Sequence, residues 1–402
     1  MQNKITVGII REGRVPHDFR TPFTPDQIAQ LNIEFPAHKF VVQHSPFRCY
    51  SDNEYLSKGV EVCNDMSHCD ILFGIKEVPV DELIADKTYF FFSHTIKKQE
   101  HNRKLLQTIL KKNIRLIDYE CLTKATGERL IGFGRYAGIV GTYNSFLAYG
   151  KKYGLFDMKP AIECKTYQNL IKEIKPIKLP PIKILFTGNG RVSHGALEIL
   201  RLLKIKSCTP DEIRTKKFNE PVYAQLMEEN YNEHKNGRNW EMLHFYKNPS
   251  QYVSTMNQFI SSCDIFIHCA FWHREAPVFF TNETYLNPEF TIKVIGDISC
   301  DLHGPIPSTL RSSTNEDPVY GYDAGTQKET NPYLKNTVDV MAVDNLPCAL
   351  PRDTSNDFGI DLSQKVVPAL LSGVEDDMID RATITKGGRL TMPFEYLSDF
   401  VQ

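Results

Sequence analysis

A lysine and a histidine each follow a short apolar segment in the first quarter of the chain. Lys76 comes just after Asp70–Gly74 and His94 directly after Tyr89–Ser93, and both segments have the composition of buried strands. The carboxyl ends of parallel strands form the crevice in which α/β proteins bind ligands. Burial and neighbouring cations lower a lysine pKa from about 10.4 toward neutrality, so Lys76 and His94 could share proton transfer there. The alternative is a surface pair of Lys76 with Glu77 and a histidine without a catalytic role.

Two arginines and an acidic strand end accompany these groups. Arg20 and Arg135 flank the region in the sequence, and Asp118-Tyr-Glu120 closes another apolar segment. The planar guanidinium group binds carboxylates through two parallel hydrogen bonds. Both arginines are therefore candidate ligands for a substrate carboxylate, although single arginines are more often surface residues.

A glycine turn lies near the midpoint of the chain, in Ile182-Lys-Ile-Leu-Phe-Thr-Gly-Asn-Gly-Arg-Val-Ser-His-Gly-Ala196. The pattern indicates a buried strand, a tight turn and a helix, the arrangement that binds a dinucleotide pyrophosphate. Ser193 stands where the third glycine is usual, and Gly195 could provide the close helix–strand packing instead. A plain tight turn and a methyltransferase site are the alternatives. The candidate cofactor-binding residues here are Gly188, Asn189, Gly190, Arg191 and Val192.

The choice of dinucleotide depends on the end of the next strand, which we expect at Ile205–Thr209. An acidic residue about twenty positions after the first glycine usually holds the adenosine ribose. No carboxylate stands at that strand end, and Thr209 with Arg214 or Lys216 could accept a 2′-phosphate. We therefore expect NADP(H) in preference to NAD(H), with NAD(H) open because Asp211 could still contact the ribose.

Two later strand ends carry polar groups that could border the nicotinamide. Gly296-Asp-Ile-Ser-Cys-Asp301 closes one apolar segment, and Asn345-Leu-Pro-Cys-Ala-Leu-Pro351 closes another. Both lie where the ring is expected if the glycine turn holds the pyrophosphate, although tight loops without a function have the same composition. The candidate residues are Asp297, Asp301, Asn345 and Leu346.

The elements that must position these groups alternate between strand and helix, which is typical of parallel α/β sheets. Thr24 and Pro25 predict the start of a helix, and Lys216–Tyr252 has no clear pattern. Further predicted strands are Ile5–Ile10, Phe40–Gln43, Ile114–Asp118, Asp264–Ala270, Thr291–Ile298 and Val338–Val343. Predicted helices are Pro25–Glu34, Gln99–Leu110, Gly134–Tyr153 and Ala196–Leu203.

The composition narrows the class of protein. A chain of 402 residues predicts two domains, and 41% hydrophobic with 24% charged residues is ordinary for a globular protein. A formal net charge of −2 gives no reason to expect nucleic acid or a membrane surface as a partner. Ten scattered cysteines without a Cys-x-x-Cys pair predict reduced thiols and no metal site. The N-terminus shows no targeting pattern, so we expect a cytoplasmic protein.

Taken in order, these segments resemble the alanine dehydrogenase and saccharopine dehydrogenase superfamily, with the closest likeness to lysine–ketoglutarate reductases. The resemblance runs from residue 5 to about 390. The stretches that carry it are Arg20-Thr-Pro-Phe-Thr-Pro25, Phe91-Phe-Ser-His-Thr-Ile-Lys-Lys-Gln-Glu100, Ile114-Arg-Leu-Ile-Asp-Tyr-Glu120, Phe133-Gly-Arg-Tyr-Ala-Gly138, Phe186-Thr-Gly-Asn-Gly-Arg-Val-Ser-His-Gly-Ala196, Asp297-Ile-Ser-Cys-Asp301 and Val343-Asp-Asn-Leu-Pro347.

The resemblance implies an α/β fold of two Rossmann-like parallel-sheet domains flanking a cleft. A discontinuous substrate domain would comprise residues 1–138 plus 350–402, and 139–349 would bind the dinucleotide. In such enzymes the residues matching Lys76 and His94 handle protons, and the one matching Arg20 grips a substrate carboxylate. The resemblance further implies that Glu77 and Glu120 tune the lysine and the substrate amine, and that Asp301 lies beside the nicotinamide.

The function implied is hydride transfer between NADP(H) or NAD(H) and the C–N bond of an imine. Its small-molecule partners would be an amino acid and a 2-oxo acid, with saccharopine from lysine and 2-oxoglutarate preferred. One alternative is an alanine-dehydrogenase-like enzyme that uses ammonia and a small 2-oxo acid. The other is a non-catalytic dinucleotide sensor, which the set of Lys76, His94 and Asp301 disfavours because a sensor needs no proton relay.

Overall fold

The computed structural model describes residues 4–372 and 376–402, and the chain divides into two compact units. The first unit contains residues 1–133 and 351–402, and the second contains residues 134–350. The first boundary falls a few residues before the expected position at 138. It does so because Gly134 already begins a helix whose packing lies within the second unit.

Residues 4–133 of the first unit supply six strands and three α-helices. The strands are β1 (Thr6–Ile9), β2 (Lys39–Gln43), β3 (Val62–Cys63), β4 (Ile71–Phe73), β5 (Thr88–Phe91) and β6 (Arg115–Asp118). The helices are α1 (Pro25–Glu34), α2 (Asp52–Ser57) and α3 (Arg103–Lys111).

The second unit begins with a long helix and continues with strands and shorter helices. Its helices are α4 (Gly134–Tyr153), α5 (Ala161–Cys164), α6 (Tyr167–Ile174), α7 (Arg191–Leu202), α8 (Pro210–Thr215), α9 (Glu228–Tyr231), α10 (Met242–Lys247) and α11 (Asn282–Leu286). Its strands are β7 (Lys183–Thr187), β8 (Lys206–Ser207), β9 (Val222–Leu226), β10 (Asn232–His234), β11 (Tyr252–Ser254), β12 (Ile265–His268), β13 (Val294–Asp297), β14 (Val319–Asp323), β15 (Lys328–Thr330) and β16 (Val338–Met341).

The C-terminal tail returns to the first unit. Its helices are α12 (Pro351–Lys365), α13 (Val367–Leu371), α14 (Asp377–Ala382) and α15 (Ser398–Val401), and its strands are β17 (Thr383–Lys386) and β18 (Arg389–Leu390).

The sheet of the first unit has the order β3-β2-β1-β4-β5-β6-β17-β18. The strands from β3 to β6 are parallel, and the two tail strands add antiparallel pairs at one side. Alternate residues of β5 enter different hydrophobic clusters: Phe90 packs in one, and Tyr89 and Phe91 pack in the other. Both faces of this sheet are therefore buried, as expected for parallel strands covered by helices.

The start of α1 follows from its local sequence. The Thr24 side chain accepts a hydrogen bond from the backbone of Gln27, and the Gln27 side chain accepts one from the backbone of Thr24. Pro25 occupies the first helical turn, where its fixed φ suits a helix and its missing N–H removes no intrahelical bond. The predicted helix Pro25–Glu34 is confirmed at both ends.

The sheet of the second unit has the order β8-β9-β7-β12-β13-β16-β14-β15. Strands β8 to β16 in this order are parallel, and β14 and β15 pair antiparallel at the far side. From β7 the chain goes to β8 and then β9 on one side of β7, and it later crosses to β12 on the other side, so the strand order reverses at β7. In open α/β sheets ligands bind at such a reversal, outside the carboxyl ends of the strands. The α/β class with two Rossmann-like sheets is confirmed.

The neighbour of β7 is not the strand that the sequence predicts. The segment expected to form the second strand, Ile205–Thr209, contributes only two residues as β8 at the outer edge of the sheet. The neighbouring position belongs to β9, which pairs with β7 from Lys183↔Val222 to Thr187↔Leu226. Because β9 lies in the stretch without a clear pattern, its register could not be read from the sequence.

Helices α4 and α7 approach each other through two glycines. A Cβ atom on Gly138 would lie 1.9 Å from the carbonyl oxygen of Val192, and one on Gly195 would lie 1.9 Å from that of Arg135. Gly195 therefore serves helix–helix contact, where the sequence suggested helix–strand packing. The expected helix Ala196–Leu203 also starts earlier, at Arg191, because Gly190 is the N-cap.

Two further observations bear on the class of protein. None of the helices in residues 4–372 and 376–402 combines the length and apolar character needed to cross a bilayer. All ten cysteines are free of disulfide bonds.

Candidate active site

Lys76 lies at the carboxyl edge of the first unit's sheet, just after β4. Its backbone N–H donates to Glu12 Oε2 at 2.9 Å, and the N–H of Ile75 donates to Glu12 Oε1 at 2.6 Å. Glu12 itself follows β1, the neighbour of β4 in the sheet. Burial, reinforced by the positive charge of Arg20, lowers the pKa of Lys76 against the opposing charges of Asp18 and Glu77. A lowered pKa brings this amine closer to acting as a proton acceptor near neutral pH.

Glu77 connects the lysine segment to His94. One Glu77 oxygen is hydrogen-bonded to His94 Nδ1, and the other accepts from Arg14 Nη1 at 3.0 Å. Although burial alone would raise it, the hydrogen bond with His94 and the nearby cations lower the pKa of Glu77 to about 2. An ionised Glu77 orients the imidazole through Nδ1. His94 also has φ 52°, a left-handed conformation that is uncommon for a non-glycine residue.

Arg20 is buried beside the same edge and is paired with Asp18. Its Nε and Nη2 donate to the two Asp18 oxygens at 2.9 and 2.5 Å, and its guanidinium lies 4.2 Å from the centre of the Phe133 ring. Although burial alone would raise it, the charge and hydrogen bonds of Arg20 hold the pKa of Asp18 well below its usual range. The pair presents a fixed guanidinium close enough to influence Lys76.

Glu120 follows β6, and only 8% of its side chain is exposed. Its Oε1 is paired with Arg129 and lies 3.6 Å from Lys97 Nζ, whereas its Oε2 is buried without a hydrogen-bond partner. Asp118 stands at the strand end and accepts from Ser93 N at 2.9 Å and Ser93 Oγ at 2.5 Å. The Asp118 carboxylate therefore holds Ser93, the residue before His94, against the end of β6. The first unit thus gathers Lys76, Glu77 and His94, with Arg20 and Glu120 on neighbouring segments.

Arg135 does not belong to that group. It lies on α4 in the second unit, and its Nε and Nη2 donate to Glu198 of α7 at 2.9 and 2.8 Å. Its guanidinium also lies 5.0 Å from the Tyr136 ring centre. Glu198 holds the Arg135 guanidinium in this structure, and the predicted role of Arg135 in substrate binding stays a prediction.

The glycine turn in the second unit has the geometry expected of a pyrophosphate site. Gly188 has φ 84°, its N–H donates to Leu226 O at 2.9 Å, and a Cβ there would lie 3.0 Å from Ala270 Cα. Gly190 is the N-cap of the twelve-residue helix α7, and a Cβ on it would meet nothing within 4 Å. Backbone N–H groups at such a helix start bind phosphate groups. The open space at Gly190 fits a dinucleotide.

The other predicted residues of the turn lie around this helix start. Asn189 is exposed, and its Oδ1 lies 3.4 Å from Gln225 Nε2. Arg191 and Val192 are the first two residues of α7. These positions border the turn on the side where phosphates would lie.

Thr209 does not occupy the position that its predicted role requires. It follows the outer strand β8, and its hydroxyl caps α8 by accepting from Glu212 N at 3.1 Å. Arg214 is paired with Asp211, and Lys216 is paired with Glu212. The ground for preferring NADP(H) is thereby removed, because the strand beside β7 is β9 and not β8.

The residues predicted near the nicotinamide have different environments. Asp297 ends β13 fully buried, and its oxygens contact His268 Nδ1 at 3.1 Å and Thr309 Oγ1 at 2.7 Å. Leu346 is buried in the core, and the Asn345 carbonyl accepts from Asn315 Nδ2 at 3.0 Å. Asp301 is partly exposed in the loop after β13. Asp297 is thus a support of the loop that carries Asp301.

Two residues of the first site were missed by sequence reasoning, Glu12 and Asp18. Glu12 follows a parallel strand in the same way as Lys76, so the strand-end argument applied to β1 would have found it. Asp18 stands two residues before Arg20 in a segment that forms neither helix nor strand, so no periodic pattern marks it.

Comparisons with known proteins show what this chain is similar to. Residues 8–140 match the sequence model described as "Alanine dehydrogenase/PNT, N-terminal domain". An alpha-aminoadipic semialdehyde synthase of Arabidopsis thaliana is 28% identical over 97% of this chain and 41% of its own length. The mouse protein of that name, described as mitochondrial, is 27% identical over 99% of this chain and 48% of its own. The chain therefore spans less than half the length of these two relatives.

Relatives of similar size also exist. A saccharopine dehydrogenase [NAD(+), L-lysine-forming] of Neurospora crassa is 25% identical, with 88% of each chain covered. Among solved structures, an L-alanine dehydrogenase superimposes with a TM-score of 0.67 at 16% identity, covering 99% of this chain and all of that one. That likeness concerns the fold. The matched domain makes residues 8–140 similar to alanine dehydrogenases, and the sequence relatives make most of the chain similar to saccharopine dehydrogenases.

Proposed function

We propose that this protein is an oxidoreductase that transfers hydride between a nicotinamide dinucleotide and the C–N bond of an amino acid/2-oxo acid imine. The observation that carries the proposal is the group formed by Lys76, Glu77 and His94 at the carboxyl edge of the first unit's sheet. A lysine of lowered pKa beside a carboxylate-oriented imidazole suits the proton transfers of imine formation. The preferred reaction is the formation or cleavage of saccharopine, from lysine and 2-oxoglutarate.

The residues of the first unit would bind substrate and move protons. Lys76 Nζ, when neutral, accepts a proton from the substrate amine as the imine forms, and His94 Nε2 is available for a second transfer because Nδ1 is held by Glu77. Arg20 orients a substrate carboxylate, and the unpartnered Oε2 of Glu120 is placed to accept from a substrate ammonium group. Fixing these groups before the reaction lowers the cost of bringing reactants together.

The second unit would hold the cofactor. The N–H groups at the start of α7, after Gly188 and Gly190, bind the pyrophosphate, and Asp301, with Asn345, borders the nicotinamide. The nicotinamide, when bound, supplies or accepts the hydride. The division of labour follows the two compact units, with substrate groups in the first and cofactor groups in the second.

An assay of reduced-nicotinamide consumption tests the proposal. Lysine with 2-oxoglutarate is compared with ammonia and pyruvate, using NADH and NADPH in each case. Turnover with the first pair is expected. Turnover with ammonia and pyruvate alone would indicate an alanine-dehydrogenase-like enzyme, and dinucleotide binding without turnover of either pair would indicate a sensor.

A further inference from the structure

The last helix of the chain, α15, is fixed beside the segment that follows β5. Phe400 is buried and packs in one hydrophobic cluster with Phe91, the last residue of β5. The Val401 carbonyl accepts a hydrogen bond from Gln107 Nε2 of α3 at 3.1 Å. The backbone of α15 is therefore held in place, and with it the position of the exposed residue Asp399.

Asp399 is bonded to a lysine that lies far from it in the sequence. Lys98 Nζ donates to Oδ1 and Oδ2 of Asp399 at 2.6 and 2.8 Å. The same ammonium group lies 5.7 Å from the centre of the Tyr396 ring, in the helical turn just before α15. Two groups of the tail thus meet at Lys98.

Lys98 ends a short turn that begins at His94, and both residues are left-handed. Their φ angles are 51° and 52°, and a single 3₁₀ turn, Thr95–Lys97, lies between them. A side chain disfavours this conformation, which persists only where the surroundings hold it. Glu77 holds the imidazole at the start of the turn, and Asp399 holds the ammonium group at its end.

We propose that Asp399 is a positioning residue, which holds the turn from His94 to Lys98 in the conformation that the reaction requires. Without this bond Lys98 is free to leave the left-handed region, and the backbone that carries His94 moves with it. The same turn carries Lys97, whose Nζ lies 3.6 Å from Glu120 Oε1, so the setting of both His94 and Glu120 depends on it. The inference rests on the proposed function, because that function gives these two residues their roles.

Two backbone amides report whether the turn is formed. The Lys97 N–H donates to His94 O at 3.2 Å, and the Lys98 N–H donates to Thr95 O at 3.0 Å. An exposed ion pair such as that of Lys98 with Asp399 contributes little to global stability, so its loss should open this turn locally. Faster exchange of these amides therefore measures the loss of the turn without any substrate.

Hydrogen exchange followed by mass spectrometry compares the wild type with Asp399→Asn and Glu395→Gln. Glu395 is the matched control, because it is exposed in the helical turn just before α15. In Asp399→Asn, exchange at residues 95–98 should rise about two- to fivefold, the range over which an exposed pair can shift a local equilibrium. Exchange in β5 should stay unchanged, and Glu395→Gln should behave like the wild type.

Turnover tests whether the turn matters for the reaction. Asp399→Asn should lower kcat about two- to fivefold and leave dinucleotide affinity unchanged, since the proposed dinucleotide groups lie in the second unit. Each single charge reversal, Lys98→Asp or Asp399→Lys, should lower kcat further, because like charges then face each other. The double variant Lys98→Asp/Asp399→Lys restores the opposite charges and should return kcat and exchange to near the wild-type values.

The outcomes separate this inference from the proposed function. Unchanged exchange in Asp399→Asn overturns the inference, as does faster exchange with an unchanged kcat, or a double variant that behaves like the single reversals. In each of these cases turnover by the wild type leaves the proposed function intact. A wild type that turns over neither substrate pair overturns both proposals.

Discussion

The lowered pKa of Lys76 depends on the residues that surround its segment. Glu12 fixes the backbone at Ile75 and Lys76, while the buried Arg20–Asp18 pair places a positive charge near the amine. Removal from water penalises the charged form of a lysine, and a neighbouring cation adds to that penalty. The sequence position after β4 supplies the residue, and the loop after β1, which carries Glu12, Asp18 and Arg20, supplies its environment.

Replacing the amine should separate proton transfer from cofactor binding. Lys76→Met is expected to lower turnover about 10²–10⁴-fold, since a positioned acid–base group contributes about that much, with dinucleotide affinity nearly unchanged. Steady-state kinetics and fluorescence titration measure the two quantities. Lys39→Met is the matched control, because Lys39 forms an exposed pair with Glu61 at the start of β2, at the opposite end of that strand from its carboxyl end. Full activity in Lys76→Met would remove the lysine from the mechanism.

His94 is expected to contribute to proton transfer. Glutamine can keep a hydrogen bond to Glu77 but cannot transfer a proton, so His94→Gln should lower turnover and leave dinucleotide affinity nearly unchanged. Turnover is measured with saturating dinucleotide, and affinity by fluorescence titration. Unchanged turnover would show that the imidazole takes no part in the proton transfers.

Glu12 should make stability depend on pH. Burial and the charge of Asp18 raise the pKa of this carboxyl from 4.5 to about 8. Between those values the folded state keeps a proton that the unfolded state has lost, so stability falls as pH rises toward 8 and then levels off. Glu12→Gln lacks this titration and has only a constant offset. The stability of the wild type relative to Glu12→Gln should therefore fall by about 1–2 kcal/mol from pH 5.5 to 8.5, less than the full shift because the residue is partly exposed.

Urea unfolding at pH 5.5, 7 and 8.5 measures that difference. Glu82→Gln is the control, since Glu82 forms an exposed pair with Arg11 in the same region. Its stability relative to wild type should not change with pH. A constant difference between wild type and Glu12→Gln would mean that the Glu12 carboxyl titrates at its ordinary pH.

Residue-level reasoning from the sequence succeeded where a strand end alone decides the position. It brought Lys76 and His94 to one sheet edge, and it located the turn at Gly188. It could not foresee that Arg135 would be bound by Glu198, because the two residues lie on different helices whose packing is a tertiary property. Roles for the site residues remain predictions until the variants are measured.

At the level of elements, the contact between α4 and α7 requires that two positions lack a side chain. Gly138 and Gly195 let the backbones touch, and α4 has buried residues on all sides because it also packs on the sheet. Small residues at a helix crossing are a packing requirement, and their cost in helix propensity is about 1 kcal/mol each. Holding α7 against α4 fixes the helix start that would bind the pyrophosphate.

Adding a methyl group at this crossing should destabilise the second unit. Gly138→Ala is expected to lower the free energy of unfolding by about 2–4 kcal/mol. The methyl carbon would overlap the carbonyl oxygen of Val192, which is a backbone atom and cannot rotate away as a side chain could. Gly190→Ala is the control for folding: its φ is −89° and its Cβ would meet nothing within 4 Å, so the change should stay within about 1 kcal/mol. Denaturant unfolding compares both with wild type. Equal stability of all three proteins would show that the helices can separate at little cost.

The order of the strands in the second unit's sheet could not be predicted from the sequence. Local patterns predicted β7, β12, β13 and β16 to within a few residues, because continuous apolar runs mark buried strands. The order β8-β9-β7 depends on how the polar and aromatic stretch after Lys216 folds back, and the periodicity of a single strand does not carry that information. The expectation of NADP(H) rested on this one step.

At the scale of the molecule, each unit has its own hydrophobic clusters. The clusters of the second unit draw only on residues between 136 and 350, whereas those of the first combine residues before 132 with residues after 357. The tail contributes β17, which pairs with β6, and Phe358, whose ring stacks 4.4 Å from that of Phe133. The first unit therefore depends on a segment that is distant in sequence, and the second does not.

Removing the tail should consequently unfold one unit and spare the other. A chain ending at Leu350 loses β17 and β18 with helices α12 to α15, which exposes the β6 edge and opens the cluster around Phe92 and Tyr119. Limited proteolysis is expected to degrade residues 1–133 and to leave a resistant fragment close to 134–350. That fragment should still bind dinucleotide, and binding at a hundredfold excess over Kd should stabilise it by about 2.7 kcal/mol. The full chain treated in parallel is the control. Equal resistance of residues 1–133 in both chains would show that the N-terminal strands form a stable sheet without the tail.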